Sequence, residues 1–509
     1  MVFSSETFLF LFLPLFLIIY YLTPAKGRSM VILLASYLFY GWWRFDFLLL
    51  LFGTTVWTFC IGLMIAKNLD TPRAKMWCGI GVAGCLIVLG VFKYLNFFID
   101  SLAQLFGTDA AGLGVHWRLI LPIGVSFYVF HSISYLVDVT RKDADATLKF
   151  FDFAAFIALF PQLVAGPILR FKDLADQFKH RTHSLVLFAD GLALFIVGLG
   201  KKVLLADTIA PLADIAFNTP DPSAALSWLG SLAYMMQLYF DFSGYSDMAV
   251  GLGLMMGFRF RKNFDMPYIS RSITEFWRRW HISLSTWLRD YLYITLGGNR
   301  KGTLTTYRNL FLTMLLGGLW HGANITYIVW GAWHGMWLAI EKAIGLNTAP
   351  RSFNVLRWAF TFLLVVMGWV IFRSENLHVA GRMYGAMFSF GEWSLSELNR
   401  ANLTGLQVAT LVVAYATLAF FGLRDFYTNR PAEKAKPVDP SLIKAVPGDN
   451  PGSIHQPGFT VGQDAAVQPA YWTADWPRYA MRAAVLLLFV ASILKLSAQS
   501  FSPFLYFQF

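Results

Sequence analysis

Charge is scarce in this chain of 509 residues. Asp, Glu, Lys and Arg together make up 14%, against about 25% in an average soluble domain. That shortage excludes a freely soluble globular protein. A disordered chain is excluded as well, because such chains are poor in aromatics and here they reach 17%. Cysteine is scarcer still: Cys60, Cys78 and Cys85 all fall in apolar runs, without metal-ligand spacing or an even-numbered disulfide framework. Neither redox chemistry nor a metal site is expected. No GxxxxGK[ST], HExxH, GxSxG or CxxC pattern stands where it could act, and no long internal repeat supports an inverted-repeat transporter. What the chain does have is apolar length, with 57% hydrophobic residues. A polytopic membrane protein is the class that needs it.

A spanning helix takes about 20 mostly apolar residues. Candidate runs lie near 8–22, 30–43, 47–66, 76–98, 118–136, 151–169, 185–205, 228–257, 308–340, 355–372, 405–423 and 480–496. About ten to twelve transmembrane or re-entrant helices are therefore expected, in one all-α membrane domain over 1–509. Glu6 stands where a signal peptide would be basic. Lys26 and Arg28 follow the first run at once, so the N-terminus is expected outside and the first loop in the cytoplasm.

The 41 basic residues exceed the 30 acidic ones by +11, and the excess is concentrated. Between Arg259 and Arg308 stand ten basic residues and three acidic ones, Asp265, Glu275 and Asp290. The window is also rich in aromatics, so it reads as amphipathic or re-entrant helices in the interface, basic face to the cytoplasm. A plain loop binding anionic lipid is the simpler alternative. Residues 431–477 hold eight of the twenty prolines and read as a hydrophilic loop. Nothing points to nucleic acid; the lipid bilayer is the first partner.

Polar groups at membrane depth are costly, and each is a functional hypothesis. His321 lies inside the run 308–340, flanked by Gly317, Gly318 and Gly322. An imidazole is the usual general base near neutral pH, and glycines allow a substrate or a neighbouring backbone to come close. Asn324, three residues on, shares a helical face with it and is expected to fix its tautomer. A purely structural histidine between helices is the competing reading. His334 repeats the Trp-His-Gly triplet, but thirteen residues of unbroken helix separate it from His321 by about 20 Å, so a supporting role is expected. His281, beside Arg278 and Arg279, meets His321 only if the fold brings them together. Asp241 and Asp247, with Lys201, Lys202 and Asp207, read as a helix-packing network.

Six stretches in order resemble the membrane-bound O-acyltransferase (MBOAT) family, and within it the branch that acetylates bacterial alginate. They are Pro122–Tyr128, Phe160–Ile168, Gly198–Lys202, Tyr239–Asp247, Phe276–Ser283 and Trp320–Gly322. They cover about 120–340, and the terminal Tyr506-Phe507-Gln508-Phe509 is similar too. The resemblance implies a ring of helices around a tunnel, with His321 as the family histidine and His281 as its upstream polar partner. It implies O-acetyl transfer at the bacterial inner membrane. No cofactor would be tightly bound; acetyl-CoA or another acyl thioester would be the donor substrate. Periplasmic acetyltransferase partners would pass acetyl on to alginate. Arg278 and Arg279 would meet the donor's phosphates. Acetylation of cellulose or peptidoglycan, transfer of D-alanine to teichoic acid, and a transporter or non-catalytic scaffold are the alternatives.

Overall fold

The computed structural model describes residues 1–347, 353–389, 393–428, 475–498 and 504–505. The expected loop 431–477 and the tail from Tyr506 lie almost wholly outside them. The described residues are helical almost throughout, with no β-sheet. Five helices are long and apolar enough to cross a membrane: Phe47–Lys67, Pro72–Leu105, Val355–Arg373, Gly405–Arg424 and Ala480–Ala498. Their outer faces leave Leu49, Ile87, Phe360, Val412 and Leu487 exposed, whereas Asp241, Ser243, His281 and His334 are buried. A soluble protein hides the first kind and shows the second; this reversal fits a lipid solvent.

The remaining apolar runs are shorter or broken, in keeping with the expected mixture of transmembrane and re-entrant helices. The run 118–136 becomes helical only at Val125, where Gly124 takes φ +76° and lies so near the Leu163 carbonyl that a β-carbon would sit 2.3 Å from it. The run 151–169 is cut into Phe150–Ala158 and Phe160–Leu163, both fully buried at their cores. These pieces are sheltered by protein, where broken backbone is tolerated at membrane depth. In contrast, Ala224–Met255 is one helix of 32 residues and is buried along most of its length.

The run 308–340 holds the break that matters most. Helix Thr303–His321 ends at the histidine itself; Gly322 is extended, and Asn324 begins Ile325–Ala343 by accepting the Thr326 N–H at 3.0 Å. The two helices fold back on each other. Gly318 and Gly331 let their backbones touch: a β-carbon on Gly318 would lie 2.2 Å from the Tyr327 carbonyl oxygen, and one on Gly331 2.5 Å from that of Met314. At these positions the glycines admit a neighbouring backbone rather than a substrate.

The acidic and basic residues of the long helix form the network its sequence implied. Lys202 reaches Asp207 and Asp241, both at 2.7 Å, and Lys201 reaches Asp247 at 2.6 Å. Asp241 also accepts the Leu505 N–H at 2.9 Å. Buried charges that stay ionised need this kind of partner.

Candidate active site

The window 259–308 is built largely from short elements. It folds into short buried pieces, Ile273–Arg279 and Ile282–Trp287, joined through His281 in the left-handed conformation at φ +43°. A non-glycine residue there is uncommon and is held by its surroundings. The aromatics point inwards: Phe276, Trp277, Trp280, Trp287 and Tyr291 are all buried. Composition alone could not separate an aromatic belt from an aromatic core, and the core is what forms.

His281 is fully buried. Its Nδ1 lies 3.3 Å from Asn263 Oδ1, and that oxygen also accepts the Ser283 N–H at 3.1 Å and the Ser283 hydroxyl at 2.9 Å. A backbone N–H is always a donor, so it fixes which end of the Asn263 amide faces the histidine. Nδ1 must then carry the proton, and Nε2 holds the lone pair. Burial pushes the His281 imidazole down to about 3, so the ring is neutral at physiological pH. Nε2 has no hydrogen-bond partner among the described residues. The sequence reading gave the task of fixing a tautomer to Asn324 beside His321. The structure gives it to Asn263 beside His281, because Asn324 is spent on capping its own helix and on donating to the Glu375 carbonyl at 2.8 Å.

His321 and His281 flank one indole. Ring centroids lie 5.0 Å apart for Trp320 and His321, and 6.4 Å for Trp320 and His281. The two imidazoles are near enough to interact electrostatically. Trp330 then packs edge-on against both His321, at 5.2 Å, and His334, at 4.9 Å. The separation of about 20 Å expected between His321 and His334 on an unbroken helix is therefore overturned. The turn at Gly322–Asn324 returns the chain and brings both rings onto the same tryptophan. His334 stacks on Phe276 and meets Trp277, and neither ring nitrogen has a hydrogen-bond partner among the described residues.

A cavity of about 570 Å³ reaches His321 from the rim that carries the N-terminus. Its walls are Met1, Val2, Ser5, Thr7, Phe39, Tyr40, Trp42, Trp43, Lys93, Leu121 to Phe127 and Val164. No residue of the window 259–308 lines it, so it reaches His321 without opening to His281. A continuous tunnel between the two was implied by the resemblance and is not what this cavity forms. Lys93, which the sequence reading passed over, stands on the wall beside His321. Its signal was present: a lone lysine in the apolar run 76–98.

The two arginines expected to hold the donor differ. Arg278 is exposed. Arg279 is turned inwards to Glu275, at 3.2 Å, and to the Asp265 carbonyl, at 3.1 Å. Glu275 also takes Arg271 at 3.1 Å. Burial alone would raise its carboxyl, but these guanidinium bonds outweigh burial and hold it below its ordinary value. No group of three metal-ligating side chains occurs among the described residues.

An imidazole at the floor of a cavity, with a second neutral imidazole behind the same indole, is suited to taking a proton from a hydroxyl away from bulk water. Known proteins agree with that chemistry. The chain is 72% identical over its whole length to "Probable alginate O-acetylase AlgI" of Pseudomonas fluorescens, all of which is covered. It is 61% identical to the protein of that name in Pseudomonas aeruginosa, again with both chains fully covered. A "Peptidoglycan O-acetyltransferase" of Helicobacter pylori is 35% identical over 79% of this chain and 82% of its own. The family model of the membrane-bound O-acyltransferases matches residues 7–379, and this chain is a multi-pass membrane protein and O-acetyltransferase of that family.

Proposed function

We propose that the protein acetylates an exported polysaccharide, alginate first among the candidates, using a cytoplasmic acyl thioester such as acetyl-CoA. The observation that carries this reading is the position of His321, at the floor of a cavity on one side and against the indole it shares with His281 on the other. The window 259–308 holds ten basic residues against three acidic ones, and none of them lines the cavity. Such a bias supports a cytoplasmic placement and a side from which a phosphate-bearing donor arrives. The cavity then belongs to the outer side of the inner membrane, open to an acceptor hydroxyl.

In the reaction, a ring nitrogen of His321 takes the proton of the acceptor hydroxyl. Its oxygen attacks the thioester carbonyl carbon, and the tetrahedral intermediate collapses by breaking the C–S bond. The departing thiolate receives the proton from the imidazolium. His281, neutral and with its tautomer fixed by Asn263, offers Nε2 to the donor side of the same step. Periplasmic acetyltransferases that carry acetyl onward to the polymer are the partners this reading calls for.

The test is the acetyl content of the exported polymer, normalised to membrane-inserted protein. His321→Ala should lower it by about 10²–10⁴-fold, the usual loss with a general base, at normal insertion. Full acetylation by that variant would end the mechanism.

A further inference from the structure

Lys93 is not accounted for by the reaction as described. It stands in the apolar span Pro72–Leu105, at a depth where an ammonium is expensive and needs partners. The helix is not regular there. Gly90–Tyr94 winds as a π-helix, a form that is rare and frequently found at functional sites. The wider turn brings two consecutive side chains to bear on one target. Tyr94 donates its hydroxyl to the Leu319 carbonyl at 2.8 Å. Lys93 donates to the Trp320 carbonyl, to the His321 carbonyl at 3.1 Å and to Ser126 Oγ at 3.3 Å. Its ammonium also lies 5.6 Å from the centre of the Trp320 ring.

Leu319, Trp320 and His321 are the last three residues of their helix. Carbonyls at a helix C-terminus have no intrahelical donors, and the helix dipole concentrates negative charge there. Here the chain leaves helical geometry immediately, because Gly322 is extended. The end of the helix must therefore be held from outside. A lysine with its three protons on three acceptors does this, and Ser126 ties the same ammonium to the wall of the cavity.

We infer that Lys93 is a positioning residue for acyl transfer: its ammonium clamps the end of the His321 helix to the cavity wall and so fixes the imidazole towards the acceptor. The inference rests on the acyl-transfer reading above, in which His321 is the base. It concerns geometry at the reacting group, where a misplacement of about 1 Å costs on the order of 10²-fold in rate. The role is distinct from that of Tyr94, which holds one carbonyl with a neutral group.

The experiment uses the full-length protein in membranes with a labelled acetyl thioester donor and the polymer-acetylating system intact. Lys93→Met keeps the length of the side chain and removes the charge. Transfer at saturating donor should fall about 30- to 100-fold while the donor KM changes less than twofold, at normal insertion. Charge is then restored chemically. In a background without Cys60, Cys78 and Cys85, Lys93→Cys should be nearly inactive. Treatment with 2-aminoethyl methanethiosulfonate, which appends an ammonium through a disulfide, should recover transfer at least tenfold. Methyl methanethiosulfonate, which appends a neutral methylthio group, should recover none.

Lys93→Met with transfer within twofold of wild type would overturn the inference, as would equal recovery with the two reagents. His321→Ala run alongside separates the two readings. If His321→Ala is active, the acyl-transfer reading has failed. If it is inactive while Lys93→Met is normal, only the clamp has failed.

Discussion

The two sides of Trp320 are built on opposite plans. Towards the N-terminal rim, His321 faces a cavity of about 570 Å³ whose wall includes the loop and helix start 121–127. Towards the basic rim, His281 sits among packed rings: Phe242 edge-on at 4.7 Å and Phe264 stacked at 6.3 Å. One side stands ready to admit a molecule; the other is closed by aromatic packing and ion pairs. If the donor is the proposed thioester, that asymmetry helps to keep water from it. The lesson is that the site is organised by side rather than by residue type, because two histidines of the same motif family have unlike surroundings.

The sharpest way to break this comparison is to ask which side is which. In a background without native cysteines, Trp42→Cys at the cavity rim should react fully with an impermeant maleimide on intact spheroplasts. Arg261→Cys and Arg300→Cys should not react until the membrane is opened. Labelling of the arginine positions from outside would reverse the assignment of donor and acceptor.

Next in size is the closed side's own histidine. His281→Ala should lower polymer acetylation by about 10²-fold or more, and Asn263→Ala should follow it to a smaller degree by releasing the tautomer. A normal acetylation level in His281→Ala would reduce that side to packing.

The arginines split the basic rim further. Arg278→Ala should raise the donor KM by about tenfold, since a hydrogen bond to a charged group contributes about 1.5–3 kcal/mol. Arg279→Ala should instead lower the amount of folded protein, because it strips Glu275 and Asp265 of an internal partner. Identical kinetics for the two variants would show that the internal pairing is irrelevant.

His334→Leu should change transfer by less than about threefold, since it substitutes an apolar side chain of similar volume where no hydrogen bond is lost. A large loss of activity at normal abundance would move His334 into the chemistry.

The smallest effect concerns pH. With its value pushed down to about 3, His281 stays neutral from pH 8 down to about pH 5, so its protonation should not depress activity in that range. An acid limb near the ordinary histidine value of about 6.5 that vanishes in His281→Gln would show that water reaches the ring.

Much of this was legible in the sequence. Apolar length pointed to a helical membrane protein, the motifs singled out His321 and His281, which the fold brings to one indole, and the Lys202–Asp241 network followed from charges that would otherwise stand unpaired. The turn after His321 was misread because hydropathy averages across Gly322 and Asn324, although Asn before an apolar run is a helix-start signal. The inward packing of the window's aromatics was not legible because tryptophans serve equally in a core and at an interface. No motif in the sequence marks His183, yet it lies 3.0 Å from the Tyr20 hydroxyl and 3.2 Å from Arg28. Lys93 was missed because a single charge hardly disturbs a 20-residue average, and only the π-turn reveals its target.

Glu341 sets a constraint on the order in which the protein can be made. Its carboxylate takes the Thr274 N–H and the Thr274 hydroxyl, both at 2.8 Å, together with the Ile273 N–H. It thus occupies the start of the short helix that leads into His281, where an anion is favoured. Those donors are synthesised some 67 residues before their acceptor. While the ribosome is still adding the segment between them, the His281 helix has an unfinished beginning. The surroundings of His281 are therefore completed late, after the His321 hairpin has been delivered. A nascent chain arrested before Glu341 should remain open to protease at 265–280, and one extended past it should be protected.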